Sequence, residues 1–299
     1  MSKTSDSAST DIARVVETIA AEYRAQAIDR RGFLTRLIAV TGSMGAAHLL
    51  LESNGMAATL LSDAESQKAK VTSTAVSFPE EAKEILGGYL SAPEGKGPFP
   101  AVLVIHENRG LNEHTRDVAR RFAAEGFVAL APDALARSGG TGAMKTPDEA
   151  RAAIGLLTPE QAISDLRSAL RFLDAHPAVQ KGKLGVVGFC WGGARSFTLA
   201  TQDPRLRGSV VFYGTAPSAP ELAKTLCPVL GLYGETDERI TSRVPETTAA
   251  MKAAGKKYES KIYAGAGHAF FNDTGERYNA AAASDAWTRT LAFFRANLR

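Results

Sequence analysis

From Val71 onward the chain alternates short apolar runs with segments of helical spacing, and this alternation constrains the fold more than any other feature. Residues 101–105 read AVLVI, an uninterrupted apolar run that is typical of a strand buried on both faces. Helical spacing follows through Val118 and Phe122, and Gly126 ends it. Strands that alternate with helices in this way predict a mostly parallel sheet with helices on both faces.

The rest of the chain continues the same alternation. A threonine cap at Thr158, a proline behind it and Gln161 at the capping-box position predict a helix that runs to about Ala175. A long helix over residues 280–298 closes the chain. Further strands are expected at residues 71–78, 85–91, 127–131, 184–189, 209–213, 229–233 and 258–263. The sequence therefore predicts one α/β catalytic domain over residues 71–299.

Residues 1–70 differ from this pattern and form a predicted N-terminal extension. The paired Arg30 and Arg31 precede a phenylalanine and a leucine, a weakly apolar stretch and small residues near Ala58, which is the order of a twin-arginine export signal. On this hypothesis the protein is exported to a bacterial periplasm and cleaved near Ala58. The alternative is a helical hairpin packed on the domain of a cytoplasmic protein, because acidic residues precede the arginines and interrupt the apolar stretch. A polar linker, 62–70, follows.

Composition narrows the classes of partner. With 299 residues and 44% hydrophobic side chains, the chain can bury one large core. The 35 basic and 32 acidic residues are interspersed, which argues against a nucleic-acid surface. No segment reaches the roughly 18 uncharged apolar residues of a membrane span, so stable membrane insertion is not expected. A monomer or small homo-oligomer that acts on a small molecule fits these features.

The stretch 188–193, GFCWGG, carries the most chemical information. It lies between an apolar strand and a helix, which is the context of a nucleophile elbow, a strained turn that needs small residues on both sides of the nucleophile. Cys190 would be that nucleophile, with the helix start behind it favouring a thiolate and the Trp191 backbone N–H facing the substrate. The alternative is a glycine-rich turn with an inert cysteine. Cys227 is expected to be a small core residue, although a disulfide between the two remains open on count alone.

Two later residues favour the catalytic interpretation. Asp237 follows a strand that ends near Tyr233, and His268 lies in a loop after the strand 258–263. Nucleophile, acid and histidine in this chain order match the α/β-hydrolases. His268 would accept the thiol proton, and Asp237 would orient the imidazole ring and stabilise its charged form.

The loop after the strand at 101–105 completes the predicted site. In this fold such a loop normally supplies the second amide that stabilises an oxyanion, and we assign that role to the backbone N–H of Asn108. His106 and His114 are expected to be structural. Because neither has an acidic cluster or a second histidine placed beside it, no metal site is predicted.

Together these motifs resemble the dienelactone hydrolase (carboxymethylenebutenolidase) family. The shared segments are HENRGLN from His106, APDALAR from Ala131, the GFCWGG elbow and GHAF from Gly267. The resemblance covers about residues 71–299 and is specific, because cysteine replaces the usual serine. It implies the α/β-hydrolase fold, a Glu107 that contacts the resting Cys190 thiol and readies it for attack, and an Arg137 that binds a substrate carboxylate.

One position departs from this family. Where well-known members have a second carboxylate-binding arginine, four residues after the histidine, this chain has Asn272. Arg109 could compensate only if it faces the pocket.

The resulting hypothesis is a hydrolase that cleaves a small ester or lactone through an acyl-enzyme and needs no cofactor. The alternatives are a non-catalytic binding protein on the same fold and a thiol-dependent redox protein. The first would be expected to lack a triad member, and the second would want a resolving cysteine.

Overall fold

One eight-stranded sheet organises the protein. We describe it from a computed structural model, which describes residues 14–16, 18–19, 21–22, 30–41, 70–79 and 85–298. The strand order across the sheet is β1-β2-β4-β3-β5-β6-β7-β8. In chain order the strands are β1 Val71–Pro79, β2 Ile85–Pro93, β3 Phe99–Ile105, β4 Val128–Asp133, β5 Val179–Phe189, β6 Leu206–Phe212, β7 Val229–Gly234 and β8 Tyr258–Tyr263.

Helices precede, connect and follow the strands. They are α1 Arg30–Thr41, α2 Glu113–Ala124, α3 Pro147–Leu156, α4 Pro159–Ala175, α5 Trp191–Gln202, α6 Ala219–Leu222, α7 Glu238–Thr241, α8 Val244–Ala253 and α9 Ala280–Asn297. Two short 3₁₀ helices, Ala136–Ser138 and Thr141–Ala143, lie between β4 and α3. No helix among the described residues is long and apolar enough to span a membrane.

The sheet is mostly parallel, as the sequence predicts. Strands β3 to β8 pair in parallel, and β1 and β2 add an antiparallel edge. Because β3 and β4 exchange places in the spatial order, β3 pairs directly with β5. An α/β sheet of this kind, with crossover helices, confirms the predicted fold class.

Two apolar layers sandwich the sheet. Val102 and Val104 of β3 pack into the layer formed by α2 and α9. The alternate residues Leu103 and Ile105 pack into the layer of α4 and α5 on the other face. All four are fully buried, which accounts for the unbroken apolar run in the sequence. Burial of each such side chain stabilises the fold by roughly 1.5–3 kcal/mol.

The parallel strands bring candidate functional residues to one edge of the sheet. Strands β3, β5, β6, β7 and β8 all run in the same direction, so the residues that follow their last positions lie along the same edge. The residues of interest just beyond these strand ends are Glu107, Cys190, Tyr213, Asp237 and His268.

The element boundaries show where sequence patterns were insufficient. Strand β5 begins at Val179, five residues before its apolar run, and β6 spans Leu206–Phe212 instead of 209–213. Helix α3 was not predicted, although Thr146 caps it and a proline follows, which is the same signal used correctly for α4. The amphipathic pattern of α3 is weaker than that of α4, so the segment was not recognised as a helix.

The N-terminal extension is described only in part. Helix α1 contains both arginines of the predicted export signal, and its Phe33 and Leu37 side chains are buried. Arg36 forms an ion pair with Glu22. The predicted cleavage near Ala58 and the linker up to residue 69 lie outside the described residues, so the boundary at residue 70 stays a prediction.

Candidate active site

Cys190 occupies a sharp turn between β5 and α5. Its backbone has φ 55° and ψ −112°, a conformation that residues other than glycine rarely adopt. The flanking glycines are required by close backbone contacts. A Cβ on Gly188 would lie 1.9 Å from the carbonyl oxygen of Gly192, and one on Gly192 would lie 2.5 Å from that of Ile105. The strained turn that the GFCWGG segment predicts is therefore present.

Cys190, His268 and Asp237 form a continuous hydrogen-bonded chain. Nε2 of His268 lies 3.0 Å from Sγ of Cys190, and Nδ1 of His268 lies 2.5 Å from Oδ2 of Asp237. Because an ionised carboxylate only accepts hydrogen bonds, the imidazole donates from Nδ1 and its Nε2 can accept the thiol proton. Asp237 is buried, whereas Cys190 and His268 are partly exposed. The structure thus brings together the three residues that the sequence predicts.

The Cys190 thiol is protonated at rest. Burial, and after it the negative charge of Glu107, raise its pKa to about 11. Hydrogen bonds from the backbone N–H groups of Trp191 and Asn108, together with the charge of Arg239, lower the pKa but do not offset burial. The amide at the helix start favours the thiolate in the expected direction, but the loss of water around the thiol outweighs this stabilisation.

The two backbone amides predicted to bind an oxyanion both point at the sulfur. The hydrogen bonds that the N–H groups of Trp191 and Asn108 direct at the Cys190 thiol place these donors around one point. A carbonyl carbon bonded to Sγ would hold its oxygen near the same donors. The assignment of an oxyanion role to these amides stays a prediction, and their placement is compatible with it.

Glu107 has different hydrogen-bond partners from those that the resemblance implies. Its Oε1 accepts from the hydroxyl of Tyr213 at 3.1 Å, and its Oε2 accepts from Nδ2 of Asn272 at 2.9 Å. The thiol instead lies against His268. Glu107 acts on the thiol through charge, and that charge raises the thiol pKa. The expected direct contact with the thiol is therefore replaced by bonds to Tyr213 and Asn272.

Arg137 is already engaged by a carboxylate of the protein. Its Nε donates to Oδ1 and Oδ2 of Asp165 at 3.2 and 3.0 Å, and one terminal nitrogen donates to Oδ1 at 2.6 Å. Asp165 belongs to α4 and is itself buried. This two-pronged pair uses the guanidinium geometry that would bind a substrate carboxylate. The placement argues against the predicted substrate contact.

Several residues near the site were missed by sequence reasoning. Tyr213 is fully buried, has φ 39°, and places its ring 5.1 Å from that of His268. It ends the apolar run at 209–213, so its position after a buried strand was a usable signal. Arg239 lies two residues after Asp237, and its positive charge reaches the thiol. Arg109 is exposed.

The other chemistry-bearing residues have simpler roles. Both cysteines are free thiols, and Cys227 is buried in the core between the sheet and α5, as predicted. Among the described residues, no group of three or more histidine, cysteine and acidic side chains is arranged to hold a metal ion.

Comparison with known proteins identifies the family. The sequence profile of the dienelactone hydrolase family matches residues 86–298, which is more than half of the chain. The chain belongs to the dienelactone hydrolase family. It is 35% identical over 223 residues to a Methylorubrum extorquens protein assigned as a carboxymethylenebutenolidase, covering 71% of this chain and 77% of the relative. Membership makes it a hydrolase that acts on esters or lactones.

Solved structures of family members agree with this assignment. A Klebsiella pneumoniae protein assigned as a dienelactone hydrolase superposes with a TM-score of 0.70 at 31% identity, covering 75% of this chain and 98% of that one. A dienelactone hydrolase-like promiscuous phosphotriesterase from metagenomic libraries, P91, superposes with a TM-score of 0.64 at 25% identity, covering 77% and 100%. In both, the matched part leaves out a quarter or less of this chain.

Proposed function

We propose that this dienelactone hydrolase family member cleaves a small ester or lactone through a Cys190–His268–Asp237 triad and an acyl-enzyme. The observation that carries the proposal is the chain of two hydrogen bonds, 3.0 Å from His268 to the thiol and 2.5 Å from His268 to Asp237. This is the reach that a base needs to take a proton from a nucleophile while a third group orients the base.

Acylation uses the neutral thiol. As Sγ attacks the carbonyl carbon, the C–S bond forms and the thiol proton moves to Nε2 of His268. The carbonyl electron pair moves to oxygen, where the N–H groups of Trp191 and Asn108 donate to it, each typically worth about 3 kcal/mol. The C–O bond to the leaving group then breaks, and His268 returns the proton to the departing oxygen. In a lactone that oxygen remains tethered as a hydroxyl group.

Deacylation repeats the sequence with water. Water gives a proton to His268 as its oxygen attacks the thioester carbon, and the same amides hold the second oxyanion. The C–S bond breaks, the acid leaves, and Sγ takes the proton back from His268. Asp237 stabilises the charged imidazole in both halves. The raised thiol pKa fits this scheme, because the proton then leaves for His268 only as Sγ attacks the substrate.

A neutral substrate fits the surroundings of the site best. Asp165 neutralises Arg137, and Asn272 occupies the position of the second family arginine. The bond from Asn272 to Glu107 also uses one of the two N–H donors of that amide. We therefore place neutral esters and lactones ahead of carboxylated ones.

A substrate panel tests the proposal. Initial rates are measured for p-nitrophenyl acetate and for a series of neutral lactones, before and after alkylation with iodoacetamide. We expect hydrolysis to disappear in proportion to the alkylation of Cys190, as followed by peptide mass. Hydrolysis that persists when Cys190 is fully alkylated would reject the triad, and labelling without any hydrolysis would favour a binding protein.

We also propose export by the twin-arginine route. The proposal is supported by the order of Arg30, Arg31 and the apolar stretch behind them, while the pairing of Arg36 with Glu22 is what the helical-hairpin alternative requires. Replacing both arginines of the pair with lysine should leave a full-length precursor in the cytoplasm. A native protein that begins at Ser2 and stays in the cytosol with the original arginines would reject export.

A further inference from the structure

His106 is a buried histidine whose two ring nitrogens have opposite roles. It follows β3 and is fully buried. Its Nδ1 lies 2.6 Å from the carbonyl oxygen of Glu107, which can only accept. Its Nε2 lies 3.2 Å from the backbone N–H of Ala134, which can only donate. The ring is therefore neutral, with its proton on Nδ1. Burial lowers the pKa of His106 and keeps this one form.

The Glu107 carbonyl belongs to the peptide unit that carries a predicted oxyanion donor. The carbonyl of Glu107 and the N–H of Asn108 are the two ends of one planar trans peptide, so they point in opposite directions. When His106 holds the carbonyl on one side, the N–H is directed to the other side, toward the Cys190 thiol. The position of one hydrogen atom, on Nδ1 of His106, thus sets the orientation of the Asn108 amide.

The same imidazole ring also contacts the residue with the second oxyanion donor. It stacks on the indole of Trp191, with ring centroids 5.5 Å apart and an interplanar angle of 11°. The backbone N–H of Trp191 is the other amide that faces the thiol. In addition, the elbow lies directly against the His106 backbone, since a Cβ on Gly192 would come within 2.5 Å of the His106 carbonyl oxygen.

We propose that His106 is a positioning residue that aligns both amides of the oxyanion hole, through its hydrogen bond to the Glu107 carbonyl and its stacking on Trp191. The inference rests on the proposed function, because it assumes an oxyanion formed by attack of Cys190. His106 does not touch the substrate. Its effect is expected in the transition state, where negative charge develops on the carbonyl oxygen, and it should therefore appear in kcat more than in KM.

Two substitutions separate this role from simple core packing. His106→Asn can place an amide N–H where Nδ1 donates to the Glu107 carbonyl, but it loses the bond from Ala134 and the stacking on Trp191. His106→Phe keeps an aromatic ring against Trp191 but loses both hydrogen bonds. Relative to wild type, we expect kcat to fall by less than about tenfold in the Asn variant and by about 10²–10³-fold in the Phe variant, with KM changed less than about threefold in both.

The comparison uses kcat per active site, titrated by the first-turnover burst, so that loss of folded protein does not count as loss of catalysis. The melting temperature is measured alongside. A structural role predicts that kcat follows the melting temperature, with no rescue by asparagine. Equal losses of kcat in both variants, or losses in KM alone, would overturn the proposal. If the Phe variant does not fold, His106→Ala takes its place, with the same loss of kcat expected.

A Cys190→Ala control keeps this inference distinct from the proposed function. Hydrolysis that survives in Cys190→Ala contradicts the triad whatever the His106 variants do. Loss of hydrolysis in Cys190→Ala together with equal kcat losses in the two His106 variants supports the triad and rejects the positioning role.

Discussion

The two cysteines, Cys190 and Cys227, have thiols of similar pKa but lie in different surroundings. Burial raises the pKa of Cys190 to about 11 and that of Cys227 to about 12, so both are protonated at neutral pH. Cys227 packs in the apolar layer against α5. Cys190 lies on a strained turn with His268 at 3.0 Å and two backbone amides aimed at its sulfur.

If Cys190 is the nucleophile, as we propose, the acidity of the resting thiol does not identify it. Both cysteines would be classed as inert by pKa alone, since a low thiol pKa is the usual sign of reactivity. What distinguishes Cys190 is a base within hydrogen-bond distance and donors for the charge that develops during attack. On the proposed mechanism, the reactivity of Cys190 therefore depends on how the site stabilises the transition state.

Replacing each cysteine in turn should give the largest effect and tests directly whether the two cysteines differ in their role in hydrolysis. Cys190→Ala should lower kcat/KM for p-nitrophenyl acetate by about 10⁴-fold or more, because the nucleophile is lost. Cys227→Ala should keep activity within about twofold and lower the free energy of unfolding by about 1–2 kcal/mol, because a buried contact is removed. Rates and thermal unfolding of both variants provide the measurement. Similar activity in the two variants would remove the distinction.

Two histidine–aspartate pairs allow a second comparison between a proposed catalytic group and a structural one. His268 and His114 both place Nδ1 against an aspartate, Asp237 and Asp273 respectively, but Nε2 of His114 is buried with no hydrogen-bond partner among the described residues. Asp237→Asn should lower kcat by about 10³–10⁴-fold, because the amide favours the wrong tautomer.

The matched variant Asp273→Asn should reduce stability and change kcat by less than about threefold, because its histidine faces Phe189 and Phe271 and not the thiol. Steady-state kinetics with thermal unfolding measure both. A large loss of kcat with unchanged stability in Asp273→Asn would mean that the second pair also serves catalysis.

The pH dependence of alkylation tests the claim that both thiols rest in the protonated form. Iodoacetamide labelling of Cys190 should rise about tenfold per pH unit from pH 7 and level off near pH 11, and Cys227 should react more slowly throughout. Because both folded pKa values lie above the ordinary value of 9, the unfolded chain loses these protons first, and stability should decline as pH rises above 9. An apparent pKa below 8 for Cys190 would indicate a resting thiolate–imidazolium pair.

Arg137 offers the smallest expected effect. The guanidinium of Arg137 is already bound by Asp165. Arg137→Ala should therefore change the preference for a carboxylated lactone over its methyl ester by less than about threefold, which is under 1 kcal/mol. The ratio of the two kcat/KM values in wild type and variant is the measurement. A preference of tens-fold that vanishes in the variant would show that Arg137 leaves Asp165 to bind the substrate, as the family resemblance implies.

Sequence patterns predicted the backbone of the site better than its side-chain pairings. The order and spacing of the strands place Cys190, Asp237 and His268 at one sheet edge, because each follows a parallel strand. The pairing of Arg137 with Asp165 joins a short 3₁₀ helix to a residue of α4 that lies 28 positions further along the chain. No periodic pattern encodes such a contact, since it depends on how the helix packs against the sheet.

Local sequence motifs were also insufficient to predict the protonation state of the Cys190 thiol and the partners of Glu107. The helix start behind Cys190 suggested a thiolate, but the net effect depends on how much water the folded chain removes from the sulfur. The partners of Glu107 were likewise hidden, because Tyr213 and Asn272 lie 106 and 165 residues away along the chain. Burial and long-range contacts of this kind exist only in three dimensions.

Mass spectrometry of the trapped acyl-enzyme tests the central claim most directly. Wild-type protein is mixed with excess p-nitrophenyl acetate, quenched in acid within the first turnovers and digested for peptide mapping. The proposed mechanism predicts one acetyl group, on the peptide that contains Cys190, and none on the peptide that contains Cys227. Asp237→Asn and Cys190→Ala, treated in the same way, should give little and none. An acetyl group at another residue, or steady turnover with no label at any quench time, would contradict the assignment of Cys190 as the nucleophile.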